Sequence, residues 1–172
     1  MRFIKIQYFL LILYQSSKLL NFLKISLLNR LFLESPHIPE DGVSVLRSML
    51  CEDAKLVDIS IQIVRQLVHR PTKQLVYLNV LLEISSHEVE EVRSAVLSCL
   101  TELYDRGALR RVIEDYALMC LKFLLLEEPP ALLSGPEKGR SEVITTWTEE
   151  VTNACLYLFL VILHSNEKLI HE

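Results

Sequence analysis

The side chains that could take part in catalysis or bind a metal ion are scattered along this sequence of 172 residues. The HExxH, GxSxG, P-loop and GxGxxG patterns are all absent from it. Its four cysteines are far apart and form no CxxC pair, so the usual zinc-binding spacings are missing. Most of these cysteines lie in apolar periodic runs, which is typical of reduced, buried thiols in the cytosol or nucleus. The sequence therefore predicts a protein that is not an enzyme, with no metal ion, other cofactor or small-molecule substrate.

Two further patterns resemble parts of catalytic sites. Glu88, Glu90 and Glu91 could act as an acid/base group, but acidic residues also stabilise the positive end of a helix dipole. We interpret them as the solvated start of a helix. The turn at residues 135–140 has two glycines, but it lacks the preceding strand and the Lys-Ser/Thr ending of a phosphate-binding loop.

Candidate partner-binding residues lie in the second half of the chain. Arg110 and Arg111 could contact an acidic partner, or they could lie on a solvated turn between helices. Trp147 stands beside a long loop that begins near Pro129 and Pro130. Tryptophan is enriched at binding hot spots, but Trp147 could also anchor the loop to the core. We predict that these five residues contribute to partner binding.

Composition and charge indicate a helical protein without direct contact to nucleic acid. Hydrophobic residues make up 51% of the chain, leucine occupies 34 positions, and only 4 glycines and 6 prolines interrupt them. This excludes collagen, low-complexity disorder and a disulfide-dense scaffold. Residues 1–33 hold five basic and no acidic residues, whereas the rest holds 13 basic and 22 acidic residues, a net charge of −9. Because a phosphate backbone calls for a basic face, we expect no direct contact with nucleic acid.

Residues 1–34 form a distinct apolar and basic segment, and the proline-containing stretch 35–39 marks its boundary. Its start, MRFIK followed by YFLLILY, mimics a signal peptide, but the apolar run has only seven residues and no cleavage site follows. A membrane helix needs about 20 predominantly apolar residues, so a membrane span is not expected. Three interpretations stay open: a gene-model artefact, a degenerate helix able to lie on a membrane surface, and a targeting segment.

From residue 40 onward, apolar residues recur at helical spacing and no period-two run indicates a strand. Ser85 with Glu88, and Thr146 with Glu149, match capping boxes at two helix starts. A last helical start at 166–172 is cut off by the chain end, which suggests a piece of a longer protein. The spacing predicts helices over 42–51, 54–68, 72–84, 88–105, 109–126 and 146–163, with a long loop at 127–146.

The helix pattern also predicts the fold class. The helix at 72–84 is apolar nearly all round, which predicts burial from both sides. Helix pairs recur about every 35–40 residues, the length of a HEAT or armadillo unit. We therefore expect an all-α fold in which residues 40–172 stack antiparallel helical hairpins as a solenoid, with a compact bundle as the alternative. The helix at 88–105 places five apolar residues on one face: Val92, Val96, Cys99, Leu100 and Leu103.

Residues 92–172 carry a specific resemblance to a known family. The runs VRSAVLSCLTELYDRGALRRVIEDYALMCLKFLL, PPALLSGPEKG and WTEEVTNACLYLFLVILHSNEKLIHE resemble the symplekin family, at the point where the C-terminal region of its members begins. The matching positions are 104–118, 129–135, 147–150 and 168–172. Residues 40–91 fit the family only in their helical character.

The resemblance implies a function. Symplekin-family proteins are large, non-catalytic helical-repeat scaffolds of the pre-mRNA 3′-end processing machinery, which join endonuclease subunits to other factors. The resemblance thus implies a scaffold segment whose partners are protein subunits of the cleavage and polyadenylation complex. It implies a place in the nucleus, and also in the cytoplasm or at the cell-junction plaque. The alternatives are a generic helical-repeat adaptor and a membrane-associated helical protein.

Overall fold

The structure is a computed structural model, and it describes residues 21–35, 38–52, 56–135, 138–140 and 143–166. The described residues form seven α-helices and one short 3₁₀ turn, and they include no strand. The all-α class predicted from the sequence is therefore confirmed for this part of the chain. The helices are α1 (Asn21–Glu34), α2 (Glu40–Glu52), α3 (Val57–Val68), α4 (Gln74–Ile84), α5 (Glu90–Asp105), α6 (Arg110–Phe123) and α7 (Glu149–Ser165).

The helix bounds follow the apolar spacing closely, because each helix is built on a stripe of apolar residues that its neighbours bury. From α2 to α7, every observed start and end lies within three residues of the predicted one. The predicted helix start at 166–172 lies, apart from Asn166, outside the described residues. The first 20 residues, including the apolar run that mimics a signal peptide, also lie outside them.

Both predicted capping boxes are wrong. The Ser85 hydroxyl donates to the carbonyl of Leu82 at 2.6 Å, because Ser85 lies at the carboxyl end of α4, where helix carbonyls lack partners. In the following turn, the Val89 amide donates to Nδ1 of His87 at 2.9 Å. At the start of α7 the capping residue is Thr148, whose hydroxyl accepts from the amide of Val151.

The chain divides into two compact units, one of residues up to Tyr77 and one from Leu78 onward. In the first unit, α3 packs against both α1 and α2. Removing apolar side chains from water at about 25 cal/mol per Å² is the main force that holds such a core together. The most deeply buried side chains of this unit are Leu28, Phe32, Leu46, Met49, Leu50, Ile63, Val64, Leu67 and Val68.

Two cations from the turn that follows α3 hold the chain between α1 and α2, and one of them, Arg70, binds at the carboxyl end of α1. The guanidinium of Arg70 donates to the carbonyls of Leu33 and Ser35, the second at 2.7 Å. Lys73 donates to the carbonyl of Ile38 at 3.3 Å. The last carbonyls of a helix have no partner within it, and cations suit the negative end of its dipole. The end of the apolar basic segment thus forms a helix within the first unit.

In the second unit, α5, α6 and α7 pack against one another in all three pairs. The apolar face predicted for α5 is confirmed, since all five of its residues are buried. Val92 and Leu103 mark the two ends of this face, and Leu100 lies near its middle with no exposed surface. Tyr104 extends the same face to the carboxyl end of the helix.

Helix α4 differs from its prediction of burial from both sides. From Tyr77 to Ile84 its apolar side chains are buried, but Leu75 and Val76 in its first turn are 53% and 43% exposed. A helix that is apolar all round is fully buried only where neighbouring elements pack on every side of it. In the first turn of α4, Leu75 and Val76 are not covered by another element. None of the described helices is long and apolar enough to cross a membrane.

Candidate functional site

The long loop between α6 and α7 is anchored by hydrogen bonds that tie its two described arms together. The indole N–H of Trp147 donates to the carbonyl of Leu126 at 2.9 Å. The amide of Ile144 donates to Oγ of Ser134 at 2.9 Å. Segment 143–147 therefore runs beside segment 126–134, which contains the 3₁₀ turn Ala131–Leu133.

A small apolar core lies beneath this loop. Half-buried side chains from α6 and the loop pack against it, among them Phe123, Ile144 and Trp147. Trp147 thus makes the anchoring contact that was one of the two roles left open by the sequence. The buried members of this core are Cys120, Leu133, Val151 and Cys155.

Burial makes the two thiols of this core poor nucleophiles. Desolvation raises the pKa of Cys120 from 9.0 to about 12, and the neighbouring Cys155 adds to the effect. Desolvation also raises the pKa of Cys155 to about 11, against an opposing effect of Arg140. Because the thiolate is the reactive form of cysteine, both residues act as packing groups at neutral pH.

These thiols should make the protein sensitive to alkali. Both stay protonated in the folded state above the pH at which they ionise in the unfolded chain. Their contribution to stability is therefore complete below about pH 9 and is lost as the pH rises towards about 11 for Cys155 and about 12 for Cys120. We expect the double variant Cys120→Ala/Cys155→Ala to lose less unfolding free energy than the wild type between about pH 9 and 11, measured by urea denaturation.

The control for this measurement is Cys51→Ala, because Cys51 is only partly buried and lies in α2, in the other unit. It should keep the pH dependence of the wild type. An unchanged slope in the double variant would show that these thiols do not couple stability to pH.

Two cations in the same loop are buried. Lys138 is 7% exposed and its ammonium lies 3.1 Å from a carboxylate oxygen of Glu83. Arg140 is 6% exposed and donates to the carbonyl of Ser86 at 2.7 Å. Burial lowers the pKa of Arg140, and the carboxylate of Glu150, 4.0 Å away, opposes this effect. Charges this deeply buried are tolerated only when they are paired and hydrogen-bonded.

Gly139, between these two cations, lets the loop approach the turn that joins α4 to α5. Its φ of +70° is a left-handed conformation that L side chains rarely adopt. A Cβ at this position would lie 2.6 Å from Cγ of His87, and closer still to two other atoms of that ring. Residues 138–140 thus form a latch that fixes the loop to the α4–α5 turn. The sequence indicated only a turn here, and Gly139 was the one signal of a close approach.

Arg110 and Arg111 begin α6 at the opposite end from this loop. Arg110 stacks over the ring of Tyr104 at 4.9 Å, and Tyr104 in turn donates to Glu114 at 2.6 Å. Asn166, after α7, donates to the Tyr104 hydroxyl at 3.1 Å. Arg110 therefore belongs to a polar cluster that joins α5, α6 and the end of α7.

The structure brings only part of the predicted partner-binding set together. Trp147 donates its hydrogen bond to Leu126, which lies three residues before Pro129. Pro129 is buried, and Pro130 is half-buried. Arg111 is 92% exposed and faces Asp115 at 4.0 Å. It lies with Arg110 at the far end of the 14-residue α6, about 20 Å of helix away from the loop. The arginine pair and the loop therefore do not form one site.

The exposed apolar residues of the loop were not predicted from the sequence. Leu125 is 85% exposed and Val143 is 75% exposed, far more than is usual for such side chains. Leu126 and Leu132 are about half-exposed. We call these four residues the loop patch. The helical spacing predicts that the leucines before Glu127 form the last turn of a helix, but α6 ends at Phe123.

A polar cleft of about 380 Å³ lies between α5 and α7. The guanidinium of Arg93 stacks over the ring of Tyr157 at 4.7 Å and donates to the carbonyl of His87 at 2.7 Å. The other lining residues are Glu149, Glu150 and Asn153, all in the first half of α7. The described part of the chain contains no group of three or more potential metal ligands.

No protein-family model matches the sequence, and no solved structure matches the chain at a significant level.

Trp147 offers a direct test of the anchoring of the loop. We expect Trp147→Ala to destabilise the second unit by about 2–3 kcal/mol, because it removes a packed aromatic ring and leaves the Leu126 carbonyl without its donor. Trp147→Phe keeps most of the packing and should lose only about 1 kcal/mol. Urea denaturation followed by circular dichroism measures both, and equal losses in the two variants would show that the ring does not anchor the loop.

Proposed function

We propose that the chain is a non-catalytic scaffold segment of the pre-mRNA 3′-end processing machinery, and that it mediates protein–protein assembly there. The observation that carries this proposal is the resemblance of residues 92–172 to the symplekin family. The runs that carry the resemblance include α5, α6 and α7, which pack together in the second unit. Residues 129–135 of the resemblance belong to the loop that presents Leu132 to solvent.

We further infer that the helices are antiparallel hairpins of a HEAT-like stack. In such a stack each helix packs against the next helix and against the next but one. Within the first unit α3 packs against α1, and within the second unit α7 packs against α5, which supports this arrangement. A compact bundle is the alternative, with a radius of gyration of about 16 Å for this length. Small-angle X-ray scattering would distinguish the two, because a stack gives a larger value.

The proposed scaffold role is supported by what the reactive groups in the described residues do. Cys120 and Cys155 fill a core, and Lys138 and Arg140 fix a loop. The net charge of −9 over residues 34–172 favours protein partners over nucleic acid. The proposed partners are protein subunits of the cleavage and polyadenylation complex. The proposed location is the nucleus, and also the cytoplasm or the cell-junction plaque.

Co-purification with defined subunits tests this proposal. The tagged chain is co-expressed with the endonuclease subunits of the cleavage and polyadenylation complex, and we expect them to be retained on the affinity resin. Leu100→Asp, which should unfold the second unit, is expected to retain none. If the folded wild-type chain retains no subunit at low salt, its assignment to this machinery is wrong, and a generic adaptor role takes its place.

A further inference from the structure

We infer that the loop patch and the carboxylates around it form a docking surface for a basic, amphipathic helical segment of a partner protein. This inference deepens the proposed scaffold function, on which it rests, because it states the chemistry of the partner. It is carried by three features of the loop: its exposed apolar residues, its rigid attachment and the sign of its exposed charge.

The apolar residues of the patch lie on two arms of one loop. Leu125, Leu126 and Leu132 belong to the first arm, and Val143 belongs to the second. The bonds from Trp147 to Leu126 and from Ile144 to Ser134 hold these arms side by side. Single exposed leucines are ordinary on protein surfaces, but a group of them at one place marks an interaction site.

The described parts of the loop are attached to the rest of the second unit at two places. Segment 143–147 packs on the small core through Trp147, and the 138–140 latch binds α4 and the α4–α5 turn. A partner that docks on these parts therefore does not have to order them first. Preorganisation of this kind increases affinity, because less conformational entropy is lost on binding.

The exposed charge around the loop patch is negative, because the latch buries the described cations of the loop. The described cations of the loop, Lys138 and Arg140, are buried, whereas carboxylates on either side of the patch are exposed. Lys122, at the end of α6, is the exposed cation nearest to the patch along the described chain. The exposed carboxylates are Glu127 and Glu128 in the first arm and Glu149 and Glu150 at the start of α7.

An apolar patch with an acidic border is complementary to a helix with leucine-like residues on one face and lysine or arginine beside them. Glu149 also lines the polar cleft, where it can accept a lysine or arginine of the partner, whereas Glu150 in the same cleft lies 4.0 Å from Arg140. The cleft's own cation, Arg93, is turned towards Tyr157 and the carbonyl of His87. A nucleic acid or an anionic lipid surface would instead be repelled by this border.

Synthetic helices test this inference on the full chain. The probes are a fluorescently labelled amphipathic peptide of leucine and lysine, about 18 residues long, and its counterpart with glutamate for lysine. Fluorescence anisotropy should show the lysine peptide binding about tenfold or more tightly than the glutamate peptide, with an affinity that falls as salt rises.

Variants of the loop identify the surface. We expect Leu125→Ser/Leu132→Ser to weaken binding of the lysine peptide about tenfold, and Glu127→Gln/Glu128→Gln to weaken it about threefold with a shallower salt dependence. The control is Leu75→Ser, which changes a leucine of comparable exposure in the first turn of α4 and should leave the affinity unchanged.

Three results would overturn the inference. The first is equal affinity of the chain for the lysine and the glutamate peptide. The second is equal affinity of the Leu125→Ser/Leu132→Ser and Leu75→Ser variants for the lysine peptide. The third is binding of phosphatidylserine vesicles, and not of the peptide, at the loop patch. If the peptide test fails while endonuclease subunits still co-purify, the docking chemistry is wrong and the scaffold proposal stands. If the peptide binds at the patch but no subunit co-purifies, the assignment to the processing machinery is wrong and the docking surface stands.

Discussion

Replacement of Leu100 by aspartate is expected to unfold the second unit. Leu100 has no exposed surface and lies on the buried face of α5, which packs against both α6 and α7. An unpaired carboxylate there must either lose its hydration, at a cost of several kcal/mol, or take up a proton and still leave a polar group in the core. Because domains are stable by only about 5–15 kcal/mol, this change alone should remove most of the folded population.

Thermal denaturation followed by circular dichroism measures this effect, and Ser98→Asp is the matched control. Ser98 lies two residues earlier in the same helix and is exposed, so its replacement adds the same charge without burying it. It should shift the melting temperature only slightly. A melting temperature of Leu100→Asp equal to that of the wild type would contradict the assignment of this face to the core.

Replacement of Gly139 by alanine is expected to release the latch. The new methyl group would overlap the ring of His87 and would occupy a backbone conformation with φ of +70°. The loop should relieve both strains by moving away from the α4–α5 turn, which separates Lys138 from Glu83 and Arg140 from the Ser86 carbonyl. We expect a loss of about 3 kcal/mol in the free energy of unfolding, the range seen when a buried ion pair is broken.

Limited digestion with trypsin tests the release directly, because trypsin cleaves after lysine and arginine. Lys138 and Arg140 are almost fully buried in the native chain, and we expect Gly139→Ala to be cleaved after them much faster than the wild type. The control is Gly107→Ala, where φ is +84° but a Cβ would meet nothing within 4 Å. It should lose only about 1–2 kcal/mol, with no new cleavage after residues 138 and 140. Equal cleavage of both variants would show that the latch does not depend on Gly139.

Local patterns in the sequence were enough to locate the helices and to identify the buried face of α5. Both properties are local, since apolar residues that recur with a helical period must share one side of a helix. The loop between α6 and α7 was also predictable, because Pro129, Pro130 and two glycines interrupt the helical pattern there. The position of Trp147 beside this loop was predictable too, but its bond to Leu126 was not.

The pairing of residues that are far apart in the chain depends on how the helices pack, and no local pattern predicts it. Arg140 and its partner Ser86 are 54 residues apart, and no local pattern connects them. A lysine or arginine in a turn is ordinarily solvated, and it becomes buried only when the fold brings a carboxylate or a carbonyl to it. The exposure of Leu75 and Leu125 has the same origin, because a side chain is buried only where another element covers it. That cover is set by how the helices pack, which the period of a single helix does not contain.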